Sequence, residues 1–299
     1  MGFACPLGFG NVKIEYCLKG CPAKPRRCMT VDMLLAMHSD RIPEPRIYHV
    51  TELRKTVQQV YLARNRDFFV SPYSMAAMSL GSGLHAILEG EPGKFDTHGY
   101  VEDAVREASF SVEILTRAGK ATLTGRVDKY SKTDSEITDY KTGKVYQIKK
   151  LREGGDDEDY FWQLNTYRVY GFPAEKMTLE FQLKDWSPAS LLEDGVLPIE
   201  RIDVPKFEDE KVRDAVTERL AQFLESERDP LKVGTCGVKD RWFRDIKNWK
   251  FKVLIPNVPM KCLSYCQVRD VCPQHKEWKE SNGNRKDFNL IEQLERLER

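Results

Sequence analysis

The chain of 299 residues is long enough for one substantial core with appendages. With 41% hydrophobic and 31% charged residues its composition is that of a folded globular chain, which excludes fibrous and disordered classes. The 47 Lys and Arg nearly cancel the 46 Asp and Glu, so bulk charge does not mark a nucleic-acid binder, and any basic surface must be local.

In chain order, a cysteine-rich N-terminal stretch precedes a helix expected over Thr51–Arg66. A second helix opens at Ser71-Pro72, with serine as N-cap and proline at the first helical position, and runs through Met75, Met78, Leu84 and Leu88 towards Gly90. Alternating or β-rich stretches at Ala108–Thr116, Ala121–Tyr130 and Glu136–Lys141 predict a meander. Gly154-Gly155 breaks that pattern, and the acidic run Asp156–Asp159 suits the first turn of a helix over 157–170. A strand follows at Met177–Trp186, then a helix at Glu208–Glu227 and a helical stripe of Leu290, Ile291, Leu294 and Leu297 in the tail. No apolar run approaches the roughly 20 residues of a membrane span, and Met1–Pro6 carries neither a charged leader nor a myristoylation pattern. The expectation is a cytoplasmic protein with no membrane partner.

The chemistry concentrates in GRVDKYSKTDSEITDYKTGK, residues 125–144. If its halves form a hairpin turning at Thr133-Asp134, Asp128 and Asp139 are equidistant from the turn and face one another. Lys141 then shares the Asp139 face, because strand side chains alternate. Carboxylates directly opposite, with Cβ atoms about 5 Å apart, repel unless a cation lies between them. A hard ion such as Mg²⁺ or Mn²⁺ relieves that repulsion. A solvated acidic hairpin is the bland alternative. Against it stand His85 in LGSGLHAILE, a residue able to complete a metal shell, and the Gln163/Tyr167 pair, whose four-residue spacing shares a helix face. Glu89, one turn after His85, reads as a solvated helix residue.

The order GxGLHAILE, GRVD, DYK, QLNTY resembles the RecB-like branch of the PD-(D/E)XK nucleases, which includes CRISPR-adaptation nucleases and the nuclease domain of AddB-type helicase–nucleases. The resemblance covers roughly residues 46–190. It implies a restriction-endonuclease-like α/β core, a central mixed β-sheet flanked by helices. It further implies that His85, Asp128, Asp139 and the backbone carbonyl of Tyr140 bind a catalytic Mg²⁺ or Mn²⁺. Lys141 would orient or polarise the attacking water, and Gln163 with Tyr167 would support the site and the DNA strand. The implied activity is metal-dependent hydrolysis of DNA, on single strands or ends and by exonuclease rather than endonuclease action. The settings it implies are recombination, repair, CRISPR adaptation or phage replication, with protein partners in a recombination or replication complex. No phosphate loop of a helicase is present in the sequence. A non-catalytic DNA-binding or scaffold protein retaining the fold is the alternative; loss of an Asp or of the Lys would favour it, and all are present.

The eight cysteines fall in two sets. In a cytosolic chain they point to metal rather than disulfides. Cys262, Cys266 and Cys272, with Cys236 as nearest further thiol, suit Zn²⁺ or an iron–sulfur cluster such as [4Fe-4S], and their spacing admits both. The iron–sulfur subset of RecB-like nucleases usually spaces the triplet C-x2-C-x5-C, from which this chain departs by one residue. It also has no cysteine in TELRKTVQQVYLARNRD, where the family often places the fourth. Cys236 or Cys28 therefore supplies that ligand, Cys236 being favoured because Cys5, Cys17, Cys21 and Cys28 then remain as a second set suited to Zn²⁺. His275 is a substitute ligand. Tyr61, Arg64 and Arg66 are candidates for contact with a DNA strand, the arginines through phosphates and Tyr61 by stacking. These readings divide the chain into a cysteine-rich module at 1–45, a nuclease core at 46–232 and a C-terminal cluster module with a helical tail at 233–299.

Overall fold

The computed structural model describes residues 2–5, 7–21, 23, 27–36, 43–70, 72, 75, 79, 81, 83, 87, 104–153, 158–248 and 253–282. The chain forms two compact units. One comprises 44–55 and 80–224, the other 1–43, 56–79 and 225–299.

The unit holding residues 44–55 and 80–224 is built on a six-stranded mixed sheet. Its strands are β1 (Ile47–His49), β2 (Ala104–Thr116), β3 (Gly119–Ser131), β4 (Glu136–Gly143), β5 (Lys176–Leu183) and β6 (Ile199–Asp203). The path is β1-β3-β4-β5-β6, with β2 also paired to β3. β1 runs parallel to β3 and β4 parallel to β5, and the other pairs are antiparallel. The helices α1 (Val50–Leu53), α2 (Val145–Arg152), α3 (Glu158–Tyr170), α4 (Pro188–Asp194) and α5 (Asp209–Arg228) accompany the sheet. This is the restriction-endonuclease-like arrangement expected, a central mixed sheet flanked by helices.

The apolar faces follow the residue periods. On α5, Val212, Val216, Leu220 and Leu224 recur every four residues and are all buried. Phe223 of the same helix stacks at 5.1 Å on Tyr48 of β1. In β5, Met177, Leu179, Phe181 and Leu183 are buried at period two, while Lys176 and Gln182 are exposed. Buried Asn165 of α3 is fully hydrogen bonded: its amide donates to the carbonyls of Phe161 and Pro205 and its oxygen accepts from Phe207 N–H. That side chain fastens the segment entering α5.

The other unit carries a small sheet in which Gly2–Ala4 pairs antiparallel with Asn11–Lys13 and parallel with Phe69–Val70. Phe3, Cys17, Leu34, Val70 and Met75 form its core. A hairpin of Phe243–Asn248 with Val253–Pro259 and helices including Ile14–Gly20, Val31–Ala36, Val57–Asn65 and Pro273–Asn282 also belong to this unit. Among the described residues no helix is long and apolar enough to cross a membrane.

The meander strands and the helices at α3 and α5 lie where the sequence predicts them. The helix expected over Thr51–Arg66 does not form as one piece. It ends at Leu53, and a new helix starts after Thr56, whose hydroxyl accepts from Gln59 N–H while the Gln59 side chain accepts from Thr56 N–H. This reciprocal capping box starts a helix afresh and outweighs the continuous helical propensity on either side. Within the helix expected from Ser71-Pro72, the described residues Pro72, Met75, Ser79, Gly81, Gly83 and Ile87 are helical. The tail stripe from Leu290 lies outside the described residues.

Candidate active site

The turn at 132–135 sets the geometry. β3 and β4 pair Ser131 with Glu136, Tyr130 with Ile137 and Lys129 with Thr138. The next pair in that register is Asp128 with Asp139, where the ladder stops. The strands part, and Tyr140 N–H donates to Asp128 Oδ2 at 2.7 Å. On the same edge of β3, strand β1 takes up Thr122–Thr124. The two carboxylates thus stand at the mouth of a fork, on β3 and β4 respectively.

Asp139 is only 2% exposed. Its Oδ1 accepts from Gln163 Nε2 at 3.3 Å, and its Oδ2 forms an ion pair with Lys141 Nζ. The ammonium lies 5.1 Å from the centre of the Tyr160 ring, over its face. Helix α3 presents Tyr160, Gln163 and Tyr167 at i, i+3 and i+7, one stripe turned to the fork. Gln163 Nε2 also donates to the Tyr167 hydroxyl at 3.0 Å, and Gln163 Oε1 accepts from Arg54 at 2.8 Å. Burial, reinforced by the negative charge of Asp139, pushes the Tyr167 phenol well above the ordinary tyrosine range. Tyr167 is therefore a neutral hydroxyl at any physiological pH. Gly125 admits the Tyr167 ring: a Cβ there would lie 2.4 Å from Phe110 and 2.9 Å from Tyr167.

Four predicted residues, Asp139, Lys141, Gln163 and Tyr167, thus meet through direct contacts, and Asp128 is joined through the main chain of Tyr140. His85 and Glu89 lie outside the described residues. Arg54 and Tyr160 belong to the same network and escaped sequence reasoning. The i, i+3, i+7 stripe was the signal for Tyr160; Arg54 was hidden by reading 51–66 as one helix.

The donor set fits a hard divalent ion. Asp139 Oδ2 is buried with the Lys141 ammonium beside it, and a second carboxylate stands across the fork, an arrangement of oxygen ligands suited to such a cation. Among the described residues no three His, Cys, Asp or Glu side chains are arranged to hold an ion by themselves. Asp128 and Asp139 supply two.

In the other unit, Cys236, Cys262, Cys266 and Cys272 line one pocket together with Gln58, Gln59 and His275. The helix Val57–Asn65 points its first turn into it. Thr56 Oγ1 and Gln58 Oε1 each lie 3.1 Å from Cys236 Sγ, and Gln59 Nε2 donates to Cys266 Sγ at 3.6 Å. Burial raises the Cys236 and Cys272 thiols and pushes Cys262 up to about 11. At the N-terminus, burial and then the charges of Cys28, Cys21 and Cys5 raise Cys17, and burial and then Cys5 and Cys21 raise Cys28. All eight cysteines are free of disulfides. Of the candidate strand contacts, Tyr61 packs against Leu62, Val268 and Cys272. Arg64, 7% exposed, lies 3.7 Å from Glu227, and exposed Arg66 caps the helix end.

A family model described as the PD-(D/E)XK nuclease superfamily matches residues 50–273. The chain belongs to the PD-(D/E)XK nuclease superfamily. Its matched span contains the whole fork and the α3 network. Among solved structures, that of SSO0001 aligns at 16% identity over 81% of this chain and 94% of that one, with a TM-score of 0.47. A phage-related exonuclease from Haemophilus somnus 129PT aligns at 13% identity over 60% and 83%, with a TM-score of 0.35. Rai1 of Scheffersomyces stipitis aligns at 11% identity over 79% and 74%, with a TM-score of 0.24. All three scores lie below 0.5, so the assignment rests on the family match. No curated protein matches the chain. The matched span holds Asp128, Asp139 and Lys141, the lysine lying two residues after Asp139.

Proposed function

We propose that the protein is a Mg²⁺- or Mn²⁺-dependent deoxyribonuclease of the RecB-like branch, acting on single-stranded DNA or DNA ends, by exonuclease rather than endonuclease action. The observation that carries this reading is the fork itself: two aspartates brought opposite one another where the ladder opens, with Lys141 ion-paired to the buried one. When bound there with Asp128, Asp139, the Tyr140 carbonyl and His85 as ligands, the divalent ion supplies Lewis-acid stabilisation of the charge that gathers on phosphorus.

The chain's own groups do the rest. Lys141, held by Asp139 and the Tyr160 face, donates to the attacking water or to a phosphate oxygen, where its charge counters the extra negative charge of the pentavalent state. Water attacks phosphorus and gives up a proton to solvent, the P–O bond to the leaving sugar oxygen breaks, and that oxygen takes a proton from solvent. Gln163 keeps the Asp139 carboxylate in one rotamer, and neutral Tyr167 supports Gln163 from behind. Tyr61, Arg64 and Arg66 are proposed strand contacts, for which Arg64 would have to exchange Glu227 for phosphate.

The four thiols around the Cys236 pocket are proposed to hold an iron–sulfur cluster or Zn²⁺, and Cys5, Cys17, Cys21 and Cys28 a structural Zn²⁺. The supports are their shared pocket and their mutual charge coupling. A cytoplasmic setting goes with this reading. A place in recombination, repair, CRISPR adaptation or phage replication, with partner proteins there, goes with the branch.

The test uses full-length protein purified without oxygen, incubated with end-labelled single- and double-stranded DNA under Mg²⁺, Mn²⁺ or EDTA. Cleavage that requires the metal and disappears in Asp139→Ala and Lys141→Ala is expected. Cleavage retained by both variants, or intact DNA under every condition despite binding, contradicts the proposal.

A further inference from the structure

We infer that Arg54 is a positioning residue of the active site, acting through Gln163 on the catalytic carboxylate of Asp139; the inference rests on the nuclease reading above. Arg54 follows the last residue of α1, where the chain turns before the capping box of Thr56. That turn brings its guanidinium onto α3, 4.1 Å from the centre of the Tyr160 ring, while one terminal nitrogen donates to Gln163 Oε1 at 2.8 Å. The Nε is buried and takes no hydrogen-bond partner. Among the described residues the guanidinium is held by one amide oxygen and one aromatic face, a flat fit that a lysine cannot reproduce.

The consequence lies in the amide. Gln163 has one acceptor end and one donor end, and Arg54 claims the acceptor. The donor end is thereby committed to Asp139 Oδ1 and the Tyr167 hydroxyl. Rotating the amide by half a turn would set its oxygen against the carboxylate and its NH₂ against the guanidinium, two unfavourable contacts in a buried site. Arg54 thus removes the alternative rotamer. With Oδ1 fixed, Asp139 presents Oδ2 in a constant direction, towards Lys141 and the mouth of the fork. Tyr160 serves both cations, Arg54 at 4.1 Å and Lys141 at 5.1 Å, so one ring ties the positioning arm to the lysine.

The experiment is a double-mutant cycle in the full-length protein: wild type, Arg54→Met, Gln163→Ala and the double variant, with Arg54→Lys and Asp139→Asn alongside. Single-stranded DNA cleavage with Mn²⁺ gives kcat and KM; Mn²⁺ binding is measured directly by electron paramagnetic resonance, and urea unfolding verifies that each variant folds. Arg54→Met is expected to lower kcat about 10- to 100-fold, with Mn²⁺ affinity falling in the same direction, while KM stays within about threefold. Arg54→Lys should fall with it, and the double variant should be no worse than Gln163→Ala alone. Should Arg54→Met fail to fold, Arg54→Lys carries the same comparison. Multiplicative losses in the double variant, a defect confined to KM, or full activity in Arg54→Lys would each overturn the inference while Asp139→Asn remains inactive. If Asp139→Asn cleaves as wild type does, the nuclease reading of the site fails first and this inference with it.

Discussion

At the residue scale the site depends on side chains packed to contact. Gly125 lies under two rings, and neither Phe110 nor Tyr167 has a flexible end to withdraw. Gly125→Ala is expected to destabilise the protein by about 1–3 kcal/mol, read as a lower urea midpoint, and to reduce cleavage by displacing Tyr167. Tyr167 makes a second prediction. Its folded pKa lies above the unfolded value, so its contribution to stability is complete below about pH 10 and is lost as pH rises through the folded value. In an ultraviolet phenolate titration, Tyr167→Phe should leave the native transition near pH 10 unchanged and remove one phenol from those that ionise only on denaturation. Asp128, Asp139, Lys141, Gln163 and Tyr167 could be singled out in the sequence because each stands in a short motif of fixed spacing. It did not show what Gly125 and Asn165 do, since a glycine under a ring and an asparagine spanning a loop are defined by partners distant in sequence.

At the element scale the decisive event is the opening of the β3–β4 ladder after Lys129 and Thr138. Its register was legible because a turn centred on Thr133-Asp134 fixes the pairing arithmetically and strand side chains alternate. The break at Leu53–Thr56 was less visible. Thr-x-x-Gln is a readable helix start, yet it stands inside a run of good helix formers, and propensity alone runs straight through it. The strands Gly2–Ala4, Asn11–Lys13, Ile47–His49 and Phe69–Val70 are too short to display alternation. Between α2 and β6, Arg152 makes two hydrogen bonds of 2.9 Å to Glu200, whose side chain is nearly buried. Arg152→Ala is expected to cost about 1–3 kcal/mol by stranding that carboxylate, and adding Glu200→Gln should recover part of the loss in the same urea assay.

At the scale of the whole chain, the sequence separated a central catalytic segment from terminal cysteines, and contacts gather the chain into two units, one holding the fork and one holding the thiols. What pattern reading lacked was the return of residues 56–79 to the cysteine-bearing unit, because that assignment arises from tertiary contact rather than local propensity. The raised thiols of Cys236, Cys262 and Cys272 are protonated at neutral pH without a bound metal, so uptake of the proposed metal would release protons. Metal content measured by elemental analysis should accordingly fall as the pH of reconstitution is lowered, and Cys262→Ser should reduce it while leaving the fork intact. The most direct test of the central claim is single-turnover cleavage of end-labelled single-stranded DNA by Lys141→Met beside wild type, both saturated with Mn²⁺. A loss of about a hundred- to a thousandfold in rate with DNA affinity preserved is predicted, the cost of removing one preorganised charge at the transition state; equal rates for the two proteins would contradict the account.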